Sequence, residues 1–181
     1  MSKNVKEWII FLLIAIAVAF LISLFIRPTV VKQSSMEPTF NNGDYIFVSK
    51  QSYGLFGGEP ERGDVIVFKS HLETEDGDDK LLIKRVIGVP GDKVEIKDGY
   101  VYLNGEKLQE DYIKSQGKTT PYEEDLTSKT YVVPEKSVFA MGDNREVSVD
   151  SRSVAVGFVP VDDIYGKVVF RAFPFDKIST F

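Results

Sequence analysis

Apolar and polar positions divide the chain into two unlike parts. From Trp8 to Ile26 the sequence runs WIIFLLIAIAVAFLISLFI, 19 residues without a charge and with Ser23 as the one polar side chain. As a helix this run is about 28 Å long, close to the hydrocarbon thickness of a bilayer. A buried core helix in so small a domain keeps a polar stripe, and this one has none. A cleaved secretory signal is the other alternative, but its apolar stretch is usually shorter and ends in small residues. Leu24, Phe25, Ile26 and Arg27 close this run instead, so an uncleaved transmembrane anchor over 8–26 is expected. Lys3 and Lys6 precede it and Arg27 and Lys32 follow. The positive-inside rule gives a weak preference for residues 1–7 in the cytoplasm, which leaves 27–181 as one extracytoplasmic domain.

Past residue 27 the pattern changes to short runs of Val, Ile, Phe and Tyr broken by Gly-Asp, Asp-Gly and Asn-Gly. Strands are predicted at Tyr45–Val48, Val65–Phe68, Leu81–Val89, Tyr131–Val133, Ser137–Met141 and Lys167–Phe170. Val94–Lys97, Asp98-Gly99 and Tyr100–Leu103 read as a hairpin on a type I′ turn, and Asn104-Gly105 signals a second turn. No stretch past residue 26 has helical periodicity. The predicted class is therefore mainly β: one transmembrane helix, then an antiparallel sandwich or partly open barrel. His71–Lys80 and roughly Ser115–Lys129 read as loops.

Composition narrows the chemistry. The 181 residues include no Cys and one His, so disulfides, thiolate zinc sites and a Cys nucleophile are excluded. No metal site or cofactor is expected. A net charge of −5, from 22 basic and 27 acidic residues, argues against a nucleic-acid partner. The acidic run Glu73–Asp79 lacks the spacing of a calcium loop and reads as solvated.

Three polar segments stand out. Gln33-Ser34-Ser35-Met36-Glu37-Pro38-Thr39 follows the anchor closely and holds a candidate nucleophile. In Leu81-Leu-Ile-Lys84-Arg85-Val-Ile-Gly88 two cations interrupt an apolar strand, and strand alternation sends them to opposite faces. A serine hydroxyl needs a base to attack at neutral pH. His71 sits in the acidic loop and is a poor candidate. A buried lysine can lose its proton, whereas arginine cannot. If Ser35 is the nucleophile, Lys84 is thus its natural base. The third segment, Met141 to Arg152, is dense in polar groups. There Asp143 or Asp150 is expected to pair with Arg145 or Arg152, and Ser148 to hydrogen-bond the Lys84 amine.

Together these segments resemble a type I bacterial signal peptidase in its compact, Gram-positive form. Ser35-Met36-Glu37-Pro38-Thr39 is similar to the family's Ser-Met-x-Pro-Thr nucleophile box. Arg62-Gly-Asp-Val-Ile-Val-Phe68 resembles its Gly-Asp strand box, and Lys84-Arg85-Val-Ile-Gly-Val-Pro-Gly-Asp92 its lysine box. Gly142-Asp-Asn-Arg145 with Ser148-x-Asp150-Ser151-Arg152 matches the C-terminal box. The resemblance implies a two-sheet antiparallel β domain, with about 93–140 as a small variable insertion. It implies a membrane-bound endopeptidase that removes signal peptides from exported preproteins after small residues at −3 and −1, with a Ser–Lys dyad. Ser35 is then the nucleophile and Lys84 the general base, Ser148 orients Lys84, and Met36, Asp143, Arg145, Asp150 and Arg152 support the site. Its partners are signal peptides and the lipid bilayer; the oligomeric state is not indicated.

Two positions depart from the family pattern. Gln33 stands where relatives carry Ser or Gly, which leaves the Ser35 N–H as one oxyanion donor and the second open. Val147 stands where many members have Asn. Tyr53-Gly-Leu-Phe-Gly-Gly58 and Phe173 to Phe181 are apolar stretches read either as core and edge packing or as contacts to lipid. Two alternatives to the leading reading are a soluble self-cleaving Ser–Lys protease related to the SOS-response repressors, and an anchored, non-catalytic binding domain. The apolar span argues against the first, and the presence of both Ser35 and Lys84 against the second.

Overall fold

The computed structural model describes residues 3–53, 57–73, 79–113, 118–122 and 128–181. Leu55, Phe56 and residues 74–78 of the acidic run lie outside the described residues. Helix α1 spans Lys3–Phe25. It begins before Trp8 because Lys6 and Glu7 are good helix formers and nothing in the first turns breaks the helix. Its stretch Val5–Phe25 is long and apolar enough to cross a membrane, and none of it is buried against the rest of the chain. Ser23, the one hydroxyl in it, donates to the Phe20 carbonyl at 2.7 Å and so satisfies itself within the helix.

The helix ends at Phe25 because Pro28 and its neighbours favour extended backbone. Ile26 is already the first residue of strand β1, Ile26–Val30. This strand was not predicted, since Arg27 and Pro28 interrupt its apolar pattern. It lies at one end of a large sheet, where a proline is tolerated. It pairs antiparallel with β2, Tyr45–Ser49. The remaining long strands of this sheet are β3 (Val65–Glu73), β4 (Asp79–Gly88), β9 (Ser137–Met141) and β11 (Ile164–Phe173). Short β10, Val159–Pro160, pairs with β9, and β12, Ser179–Thr180, with β11. The order is β1-β2-β11-β3-β4-β9-β10. His71 belongs to β3 and Lys80 to β4, so the predicted 71–80 loop is shorter than expected.

A second sheet holds β5 (Lys93–Lys97), β6 (Tyr100–Leu103), β7 (Glu106–Lys107) and β8 (Ser128–Val132) in the order β7-β6-β5-β8. Its β5–β6 connection is the predicted hairpin, with Asp98 and Gly99 at φ 54° and 83°. Positive φ at both positions defines the type I′ turn, whose twist matches the strands. This sheet lies within the span of about 93–140 and ends at Val132. Strand β9, at the end of that span, pairs with β4 in the large sheet.

Alternation along β3 feeds two cores. Val65 and Val67 pack with Met36, Phe40 and Val48 on one face, while Ile66 and Phe68 pack with Leu82, Val86 and Ala140 on the other. A third core joins the sheets: Ile87, Phe139 and Met141 of the large one meet Val94, Ile96 and Val101 of the small one. Truncating a residue as large and as fully buried as Phe139 costs about 3–5 kcal/mol in such cores. The small sheet is thereby fixed against β4 and β9, the strands that carry the polar segments.

Candidate active site

Met36 is fully buried in the first core, and this anchors the turn that carries Ser35. Within that turn Glu37 N–H donates to the Ser34 carbonyl at 3.1 Å and Phe40 N–H to the Met36 carbonyl at 2.8 Å. The 142–144 segment holds the turn from the other side. Asn144 N–H donates to the Ser35 carbonyl at 3.0 Å, and Asn144 Nδ2 to the Ser34 carbonyl at 3.1 Å. Thr39 Oγ1 donates to Asp143 Oδ2 at 2.5 Å.

Lys84 comes from the centre of β4 and is 1% exposed. Its Nζ lies 2.7 Å from Ser35 Oγ and 2.9 Å from the Ile83 carbonyl. Burial pushes the amine down to about 8 from an ordinary 10.5. The charges of Asp150 and Asp143 oppose that fall, and those of Lys80 and Arg152 add to it. The two carboxylates act only at a distance, because arginines engage them. Arg85 grips Asp143 with Nε at 2.9 Å and Nη2 at 2.8 Å. Arg152 grips Asp150 with Nε at 2.8 Å and Nη2 at 2.9 Å. Burial by itself would raise the Asp150 carboxyl. The Arg152 guanidinium and the Gly142 N–H hold it below its ordinary value.

Of the pairings left open by the sequence, Asp150 with Arg152 is formed. Asp143 takes Arg85 instead, and Arg145 takes Glu110 at 2.5 Å. Thr39, Glu110, Tyr112 and Thr119 were not singled out. Glu110 and Tyr112 lie just past the small sheet's last hairpin, in a stretch with no sequence signal for chemistry. The expected bond from Ser148 to Lys84 is not formed; Ser148 Oγ is buried with no hydrogen-bond partner among the described residues. It lies beside Gly142, where a Cβ would collide with both Ser148 Oγ and the Ser35 carbonyl. Only glycine fits there.

Ser35 and Lys84 open onto a cleft of about 490 Å³. Leu72, Leu82, Val147 and Val149 give it apolar walls, and Gln33 and Lys80 stand in its lining. A hydroxyl beside a desolvated amine, with Arg85, Arg145 and Arg152 each paired to a carboxylate, is the arrangement of a base-activated nucleophile. His71 is exposed on β3 and does not line this cleft.

The family described as signal peptidase, peptidase S26, matches residues 5–173. Signal peptidase IB of Staphylococcus aureus strain COL is 40% identical across 99% of this chain and 95% of its own length. Signal peptidase I of Bacillus licheniformis is 36% identical across 98% of this chain and 93% of its own. A crystal structure of a signal peptidase I from Enterococcus faecalis V583 shares 34% identity, covering 61% of this chain and 97% of that one, with a TM-score of 0.47. The class is thus a hydrolase, a serine endopeptidase carried on an N-terminal membrane anchor. The chain belongs to the signal peptidase family, peptidase S26.

Proposed function

We propose that this chain cleaves signal peptides from exported preproteins with Ser35 as nucleophile and Lys84 as general base. The observation that carries the reading is the 2.7 Å approach of a fully buried Lys84 Nζ to Ser35 Oγ, with no carboxylate bound to the amine among the described residues. In the neutral form the amine accepts the Ser35 proton as Oγ attacks the scissile carbonyl carbon. The Ser35 backbone N–H faces the developing oxyanion. The Lys84 ammonium then gives its proton to the leaving amine, which departs as the new N-terminus of the mature protein. Water, deprotonated by the same amine, hydrolyses the Ser35 ester and releases the signal peptide. Ser148, buried and unpartnered at rest, receives a hydrogen bond from Lys84 when it is charged. Asp143, Arg145, Asp150 and Arg152 hold the frame around it.

The substrate joins as an extended strand, the mode in which an exposed sheet edge reads alternate side chains. Leu72, Leu82, Val147 and Val149 line the cleft with branched apolar groups, which suits small residues at −3 and −1. Helix α1 holds this cleft near the bilayer, with residues 1–7 in the cytoplasm and 27–181 as the extracytoplasmic catalytic domain.

The test is cleavage of a preprotein in liposomes by the wild type beside Ser35→Ala, with the product's N-terminus sequenced. A cut after a small-x-small site that disappears in Ser35→Ala is expected. A folded wild type that cuts none of several preproteins would replace this reading with the anchored binding domain.

A further inference from the structure

The mechanism above gives no role to Glu110, although its carboxylate ion-pairs with Arg145 of the C-terminal polar segment. Glu110 follows β7 of the small sheet, and its side chain is 6% exposed. It accepts from Arg145 Nη2 at 2.5 Å and from Arg145 Nη1 at 3.3 Å. Arg145 is itself 1% exposed at its side chain, and its Nη1 also donates to the buried Thr119 hydroxyl at 2.7 Å. The two terminal nitrogens of the guanidinium are therefore held by segments that follow the small sheet's hairpins. The third points inward: Arg145 Nε donates to the Gly142 carbonyl at 2.9 Å.

Gly142 lies directly behind the nucleophile's backbone. Its Cα fits against the Ser35 carbonyl and Ser148 Oγ with no room for a methyl group. Its N–H donates to Asp150 Oδ2 at 3.1 Å, and two residues on, Asn144 N–H holds the Ser35 carbonyl. The same outer segment reaches the next residue as well. The Tyr112 ring covers the Arg85 guanidinium at 4.2 Å, Arg85 grips Asp143, and the Tyr112 hydroxyl donates to Glu110 Oε1 at 3.1 Å. Glu110 and Tyr112 thus reach two consecutive residues, Gly142 and Asp143, each through one arginine.

We infer that Glu110 is a positioning residue for cleavage, holding the Gly142–Asn144 turn against Ser35 through Arg145. This rests on the function proposed above. Without the Glu110 carboxylate, Arg145 is a buried cation with only neutral hydrogen-bond partners, the Thr119 hydroxyl and the Gly142 carbonyl, and Asp150 is the carboxylate that still attracts it. Asp150 is already engaged by Arg152 and by the Gly142 N–H. Arg145 then competes for that carboxylate and releases the Gly142 carbonyl, and the turn behind Ser35 loosens. A displacement of about 1 Å at a nucleophile costs on the order of 100-fold in rate. The small sheet is in this account part of the catalytic frame and not an ornament on it.

The experiment uses the full chain in liposomes, with a preprotein substrate and Ser35→Ala as control. Glu110→Gln should lower kcat about 10- to 100-fold while KM stays within about 2-fold, because the cleft walls are untouched. Glu110→Asp should recover part of the loss. Arg145→Met should lose a similar amount, and the double variant should be no worse than Arg145→Met alone, since one residue acts through the other. A folded Glu110→Gln with wild-type kcat overturns the inference, as do losses that multiply in the double variant. Should Glu110→Gln fail to fold, Glu110→Leu with Arg145→Met removes both charges together, which buried pairs usually tolerate. That variant is expected to fold with the lowered kcat, and wild-type kcat in it overturns the inference too. A wild type without Ser35-dependent cleavage would instead sink the underlying function.

Discussion

Lys84 and Arg85 are neighbours on one strand and show two ways of burying a cation. Arg85 faces the side of β4 where the two sheets meet, and it is surrounded. Asp143 takes it through two bonds, Nη1 donates to the Gly63 carbonyl at 2.9 Å, and the Tyr112 ring lies over its plane. Lys84 faces the cleft and receives almost nothing: a hydroxyl, one carbonyl, and two carboxylates that belong to arginines. The difference follows from chemistry. A guanidinium cannot shed its charge, so its burial requires compensation. An ammonium can, so withholding a partner makes it a base. The same strand therefore carries a strut on one face and a reactive amine on the other.

The comparison breaks most visibly if the two residues are made alike. Lys84→Met removes the base and should lower cleavage by at least about 10³-fold with the fold intact. Lys84→Arg should fare no better in activity and worse in thermal midpoint, because it puts a permanent cation where no carboxylate is free. A Lys84→Arg protein that retains a tenth of wild-type activity would sink the assignment of Lys84 as base. The next effect comes from the strut. Asp143→Asn leaves Arg85 without its carboxylate and loosens the Thr39 contact. Denaturant unfolding should show a loss of about 3 kcal/mol, and kcat should fall roughly 100-fold. Stability within experimental error of the wild type would show that the pair is no strut.

How far the sequence alone reveals this contrast depends on the kind of information required. Alternation on a strand already separates Lys84 from Arg85, because it is a property of local geometry. The type I′ hairpin is equally local, written in Asp98-Gly99. Helix α1 is legible because no side of it is polar. The partners are another matter. Asp143 chooses Arg85, 58 positions earlier, over Arg145, two positions later, because β4 and β9 are paired neighbours and bring the two together. Glu110 reaches Arg145 only because the small sheet packs on Phe139 and Met141. Strand β1 is strand because β2 pairs with it, not because Ile-Arg-Pro-Thr-Val favours that state. What was missed depends in each case on contacts between distant segments, which no spacing in the chain records.

The smallest effect sharpens the comparison most, since it reads the Lys84 proton directly. Only the neutral amine takes the Ser35 proton, and burial sets its value at about 8. The rate should rise with pH, about tenfold per unit below that value, and level off above it. An acid limb near 6.5 would point to a histidine, and one near 10.4 to a solvated lysine; either would refute desolvation as the source of the base. Stability follows the same sign. The unfolded amine keeps its proton up to about 10.5, so between about 8 and 10.5 the unfolded chain binds more protons and folding strengthens as pH rises. Lys84→Met should therefore gain on the wild type chiefly below about 8 and lose that advantage above 10.5. The carboxylates give a second handle. Asp150 and Asp143 both raise the amine's value, so neutralising either one, as Asn, should move the acid limb to lower pH even as it slows the plateau. A limb that stays in place while the plateau falls would mean that the two aspartates act on Lys84 through geometry alone.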